Sequence, residues 1–240
     1  MEYGIQLYSV RDLSSKSLDD ALRQVAEIGY RFVEFAGFFD HTADEVAEML
    51  HKYGLKTSGT HSGIAPLLSD FDATVAYHKA IGNHNYIIPG TDLWTRATLD
   101  QFIADVNNVL PKLEAAGFHM GFHNHHKEFK TMDEGYVPYD ELVNRTKLHL
   151  EIDTYWAYVA GKDPVALMEQ YKDRLDFIHI KDGSADGHGT PLGMGTAPVA
   201  AVYRKAIELG IPMVVESETC TPDGITEARI CFEYLKKLEG

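Results

Sequence analysis

Apolar positions along this chain switch repeatedly between two rhythms. Stretches with apolar residues three and four apart end in glycine, and a short run of β-branched or aromatic residues follows at once. "ALRQVAEIGYRFVEFAG" shows the unit first, and "DEVAEMLHKYGLKTSGTH", "ATVAYHKAIGNHNYIIPG" and "AVYRKAIELGIPMVVESE" repeat it. Gly29, Gly54, Gly82, Gly117 and Gly210 fall where a helix C-terminus favours a residue free to take positive φ. Ser17 and Thr42 read as N-caps, each followed three residues later by an acidic side chain, Asp20 and Glu45. Eight strands are predicted: "GIQLYSV", "RFVEFA", "KTSGTH", "NYIIPG", "HMGFHNH", "LHLEID", "DFIHIKD" and "PMVVESE". Strands alternating with helices pair in parallel. Eight such units over residues 1–240 predict an α/β fold, a single-domain (β/α)8 TIM barrel. The competing open doubly wound sheet normally carries a glycine-rich phosphate loop after its first strand, and "LYSVRDLSS" has none. Pro111 falls inside the fourth helical segment and predicts a kink there.

The period of two within the strands then sorts their side chains. In "DFIHIKD", Ile178 and Ile180 share the face turned to the helices, which turns His179 and Lys181 inward. The same reasoning places Glu151 and Asp153 inside, Glu216 and Glu218 inside, and His123 with His125 opposite Phe122 and Asn124. Glu34 and His61 end the second and third strands. Catalytic groups of such barrels come from these C-terminal strand ends. Burying so many ionisable groups without a partner is expensive, and a divalent cation would offset that cost. The ligand set expected is His123, Asp153, His179 and Glu216. This mixture of carboxylate and imidazole suits Mn2+, Zn2+, Co2+ or Fe2+ better than Ca2+, with Mg2+ also open. His119 begins its strand and His126 faces away, so neither is expected as a ligand, while His51, His78 and His84 read as surface or packing residues. The glycine-rich "DGSADGHGTPLGMGT" reads equally as a lid or as a long connection.

Charge and composition exclude some classes of partner. A net charge of −14 and the lack of any basic run argue against nucleic acid, whose binding needs clustered Lys and Arg. Cys220 and Cys231 have no metal-site spacing and read as thiols of a reducing compartment. No secretory signal and no membrane-length apolar run is visible, so a cytoplasmic location without membrane contact is expected.

With these residues assembled, the chain resembles the xylose isomerase-like barrels known as sugar phosphate isomerases and epimerases. The resemblance runs along essentially the whole chain and is strongest in "FHNHHKEF", "LEIDTYWAYVAGKDP", "FIHIKD" and "VVESE". It implies one catalytic divalent ion, Mn2+ first, with Co2+, Zn2+ or Mg2+ as alternatives. It also implies ligands Asp153, His179 and Glu216, matching the family's aspartate, histidine and second glutamate. The family's first glutamate is replaced by His123, which is a departure from the two-glutamate epimerase pattern. His125 is then placed to act as acid or base, with Glu128 as an outside candidate for acid, base or ligand.

The chemistry implied is α-proton abstraction from a keto-sugar to give an enediolate. Lys181 would hold a substrate hydroxyl or developing oxyanion, and Glu216 would take part in proton transfer as well as ligation. Glu34, His61, Glu218 and Trp156 would line the substrate pocket, the indole offering a flat face to a sugar ring. Isomerisation or epimerisation is the first reading. The alternative is a lyase that eliminates water or an aglycone from a 3-keto-sugar or 3-keto-glycoside. A non-enzymatic sugar-binding barrel and an abasic-site endonuclease are the rivals from other classes, and self-association stays open.

Overall fold

Cap and glycine positions set the element boundaries in the computed structural model, which describes residues 1–240. Ser17 Oγ accepts the Asp20 N–H, and Thr42 with Glu45 forms a reciprocal capping box. Gly54 and Gly210 terminate their helices in the left-handed region, at φ 65° and 69°.

The strands are β1 (Gly4–Gln6), β2 (Phe32–Phe35), β3 (Lys56–His61), β4 (Asn85–Ile88), β5 (His119–His123), β6 (His149–Asp153), β7 (Leu175–Ile180) and β8 (Met213–Val215). Each pairs in parallel with its neighbours in sequence, and β1 closes on β8, giving the (β/α)8 barrel. Phe35, Phe122, Ile152, Ile178, Ile180 and Val215 are buried between barrel and helices. Their partners in the alternation face the barrel interior.

Several strands are shorter than their sequence runs. β1 stops at Gln6 because the Gln6 side chain accepts the Tyr8 N–H and starts a 3-10 turn over Leu7–Val10. β7 stops at Ile180 and β8 at Val215, so Lys181, Glu216 and Glu218 stand on the loops just past the strand ends. The helix Arg96–Ala115 runs on through Pro111. No helix is long and apolar enough to cross a membrane.

The glycine-rich segment after β7 is an anchored connection. Asp182–Gly183 pairs antiparallel with Gly189–Thr190. The buried Asp182 carboxylate then accepts backbone N–H groups of Gly183, Gly193, Gly195 and Ala197 at 2.8, 2.9, 3.0 and 3.1 Å.

Candidate active site

Four consecutive strands converge at the C-terminal mouth. His123 ends β5, Asp153 ends β6, His179 is the penultimate residue of β7, and Glu216 follows β8 directly. One ligand-competent atom from each lies within 4.8 Å of the other three, and all four side chains are buried.

Local structure fixes which atoms are offered. Asp153 caps the helix Thr154–Val159, its Oδ1 accepting the Trp156 N–H at 2.8 Å, which leaves Oδ2 free. The Asn124 side chain makes two reciprocal 3.1 Å hydrogen bonds with the Asp153 backbone and so clamps β5 to β6. Thr154 Oγ1 donates to the His179 carbonyl at 2.8 Å, tying β6 to β7. His179 Nε2 donates to Glu34 Oε2 at 2.7 Å, which turns Nδ1 toward Glu216 Oε2, 3.2 Å away. Such a carboxylate behind an imidazole is the usual way a ligand histidine is oriented.

A cation fits this donor set. Asp153 Oδ2 and both ring nitrogens of His123 are buried with no hydrogen-bond partner. Burial, with help from neighbouring imidazoles, holds the His123 ring well below the usual histidine range, so it stays neutral and keeps its lone pair. Burial raises the Asp153 carboxyl. Burial also opposes charge on His179, but Glu151, Glu216 and Glu34 outweigh it and leave that imidazole well above its ordinary range. The Glu216 carboxyl is driven the other way, burial being overcome by Lys181 and His179, and it falls well below the carboxylate norm.

A second polar layer lies beneath. His61 Nε2 is 2.7 Å from Glu151 Oε2 and 3.2 Å from Glu34 Oε2, while Gln6 Nε2 donates to Glu34 Oε2 at 2.7 Å. His61, His123, Glu151 and His179 also bring ligand-competent atoms within 4.8 Å of one another. Burial and the Glu34 charge push the Glu151 carboxyl up to about 7. Glu34 goes down to about 2, since His61 and His179 overcome its burial.

Above the quartet is a cavity of about 570 Å³, lined in part by His61, His123, His125, Trp156, Glu216 and Glu218. Tyr8 and Arg11, from the turn after β1, complete one wall. Lys181 is buried behind that lining, 2.6 Å from Glu218 Oε1 and 3.2 Å from Glu216 Oε2, with Nζ 4.8 Å from the Trp156 ring centre. Its ammonium is held above the ordinary lysine range, burial being outweighed by Glu216, Asp153 and Glu218.

His125, Trp156, His61 and Glu218 thus line this cavity. Glu34 does not: fully buried, it is held a layer below the wall by Gln6 and His179. Glu128 is buried and turned to the backbone, accepting the His125 N–H at 2.9 Å, so it offers no ligand to the quartet. His126 packs its ring on Trp156, and His119 sits at the opposite end of the barrel. Sequence reasoning gave no role to Glu151, Asn124, Gln6 or Arg11. The inward phase of Glu151 was the signal available for the first, and nothing in the local pattern marked the others.

The fold and this mouth define a TIM barrel with a buried carboxylate and imidazole centre. Residues 22–238 match the xylose isomerase-like TIM barrel family, and the chain belongs to it. It is 22% identical to an inosose dehydratase of Geobacillus kaustophilus (strain HTA426), over 92% of this chain and 87% of that protein. Among solved structures, a sugar phosphate isomerase/epimerase from Parabacteroides distasonis superposes with a TM-score of 0.85 at 24% identity, covering 98% of both chains. An L-ribulose 3-epimerase superposes with a TM-score of 0.77 at 15% identity, covering 99% of this chain and 94% of that one.

Proposed function

We propose that this protein is a divalent-metal-dependent enzyme of the isomerase/epimerase type, acting on a keto-sugar by abstracting the proton next to its carbonyl. The observation that carries this reading is the convergence of His123, Asp153, His179 and Glu216 at the base of the mouth cavity. A divalent ion held there, Mn2+ first with Co2+, Zn2+ or Mg2+ as alternatives, would polarise a chelated carbonyl and stabilise the enediolate as a Lewis acid.

The chain's own groups supply the rest. His125, whose burial lowers its basicity from the usual histidine value, is neutral at pH 7 and free to accept the α-proton. Lys181, charged and shielded from water, donates to the oxygen on which negative charge develops. Glu216 turns one oxygen toward His179 and Lys181, and Glu218 shares Lys181 with it. Trp156 offers a sugar ring an apolar face beside His125, their ring centres 6.0 Å apart.

A second reading, elimination of water or an aglycone from a 3-keto-sugar or 3-keto-glycoside, is favoured by one asymmetry. Two carboxylates on opposite faces would serve a symmetric proton exchange, but the β5 side carries imidazoles where β8 carries Glu216. The dehydratase relative agrees with that reading.

Incubation of the metal-loaded protein with a panel of keto-sugars and keto-glycosides in D₂O, followed by NMR, separates the outcomes. Deuterium at the α-carbon of a rearranged or inverted sugar supports the first reading, and release of water or aglycone supports the second. Substrates that bind with no exchange of the α-proton would contradict both.

A further inference from the structure

At the end of the barrel opposite the mouth, three adjacent strands present another cluster. His119 is the first residue of β5, His149 the first of β6, and Asp176 the second of β7. His119 Nδ1 lies 2.8 Å from Asp176 Oδ2, and His149 Nδ1 lies 2.9 Å from Asp176 Oδ1. The two imidazoles stack with centres 4.1 Å apart and planes 16° from parallel. Ligand-competent atoms of all three lie within 4.8 Å of one another.

We propose that this cluster is a second metal site, taking Zn2+ through His119 Nδ1, His149 Nδ1 and the Asp176 carboxylate. The spacing supports it. Two ligand atoms about 2.1 Å from one ion stand ~2.8 to 3.4 Å apart for angles between roughly 85° and 109°. The observed nitrogen-to-oxygen separations of 2.8 and 2.9 Å fall at the near end of that range.

Two imidazoles and one carboxylate are a donor set zinc accepts readily, with water completing the coordination. The side chains are 54%, 25% and 23% exposed for His119, His149 and Asp176, so an ion can enter without opening the fold. It would join the N-terminal ends of β5, β6 and β7, while the chemistry stays at their C-terminal ends. This zinc site does not depend on the function proposed above.

The test is zinc titration of metal-free full-length protein, read by bound-metal analysis and by long-range 1H–15N spectra of the histidine rings. Loss of about one equivalent in His149→Ala, and again in His119→Gln, is the expected result, with the zinc-dependent rise in Tm reduced alongside it. The Nδ1 resonances of His119 and His149 should move on zinc addition, in wild type and equally in His179→Ala, whose mouth lacks an imidazole. Unchanged zinc uptake in both bottom-face variants, or unmoved Nδ1 resonances at saturating zinc, would overturn the proposal. Zinc lost from His179→Ala but kept in full by both bottom-face variants would place the ion at the mouth and would likewise overturn the proposal.

Discussion

His123 Nε2 and Asp153 Oδ2 face each other across 3.5 Å, and no hydrogen bond joins them. Both atoms are buried, one ring kept neutral and one carboxyl strained by burial. A polar pair left in that state costs roughly 1–3 kcal/mol for each unsatisfied group. A shared cation satisfies both at once, and the arrangement makes physical sense around one.

Binding of the ion should release a proton. His179 carries an extra one, because Glu151, Glu216 and Glu34 raise it well above the usual histidine range, and a ligand imidazole must give it up. Metal affinity should therefore keep rising with pH past the usual histidine value of ~6.5 and level off only once the raised His179 value is passed. Calorimetry in buffers of different ionisation enthalpy should report close to one proton released. A pH-independent affinity would argue against His179 as a ligand.

His125 sets the acid limb of activity if it is the base. Its pKa is lowered by burial, so the neutral form persists at pH 7 and is lost only as pH falls through a value under the usual ~6.5. The kcat/KM profile should fall on the acid side of that value. His125→Asn should lower kcat by about 10²- to 10⁴-fold and remove the limb. An unchanged limb in the variant would assign proton abstraction elsewhere.

Lys181→Met tests stabilisation of developing charge. Its ammonium touches Glu216 and Glu218 and lies over the Trp156 ring. Removing a donor of this kind should lower kcat by about 10²- to 10³-fold with a smaller change in KM. Metal stoichiometry should be retained, and its loss would make Lys181 part of the ion's support instead.

The connection after β7 rests on one carboxylate. Asp182 accepts four backbone N–H groups, and a side chain on Gly195 would collide with its Oδ1. Asp182→Ala orphans those donors and should cost about 2–4 kcal/mol in urea unfolding. A change under ~0.5 kcal/mol would mean that the segment is not anchored there.

Much of this architecture was legible in the residues, and the failures have physical causes. Caps at Ser17 and Thr42 and C-terminal glycines mark the helices because those signals are local. The inward phase of His123, Asp153, His179 and Glu216 is legible because a strand's alternation survives without its neighbours. Strand ends were less so: Gln6 ends β1 by bonding the Tyr8 backbone, and nothing in "GIQLYSV" announces that turn. Depth was hidden as well. Glu34 is the penultimate residue of β2 and His61 the last of β3, yet Gln6 and His179 pull Glu34 into the lower layer while His61 reaches the pocket. The clamp of Asn124 on Asp153 joins strands 29 residues apart, and such a pairing exists only once β5 and β6 lie side by side.

Anomalous diffraction from crystals grown with Mn2+ tests the account most directly. It should give one strong peak at the mouth, within about 2.0–2.3 Å of His123, Asp153, His179 and Glu216. No peak at saturating Mn2+, or one seated instead between His61 and Glu151, would contradict it.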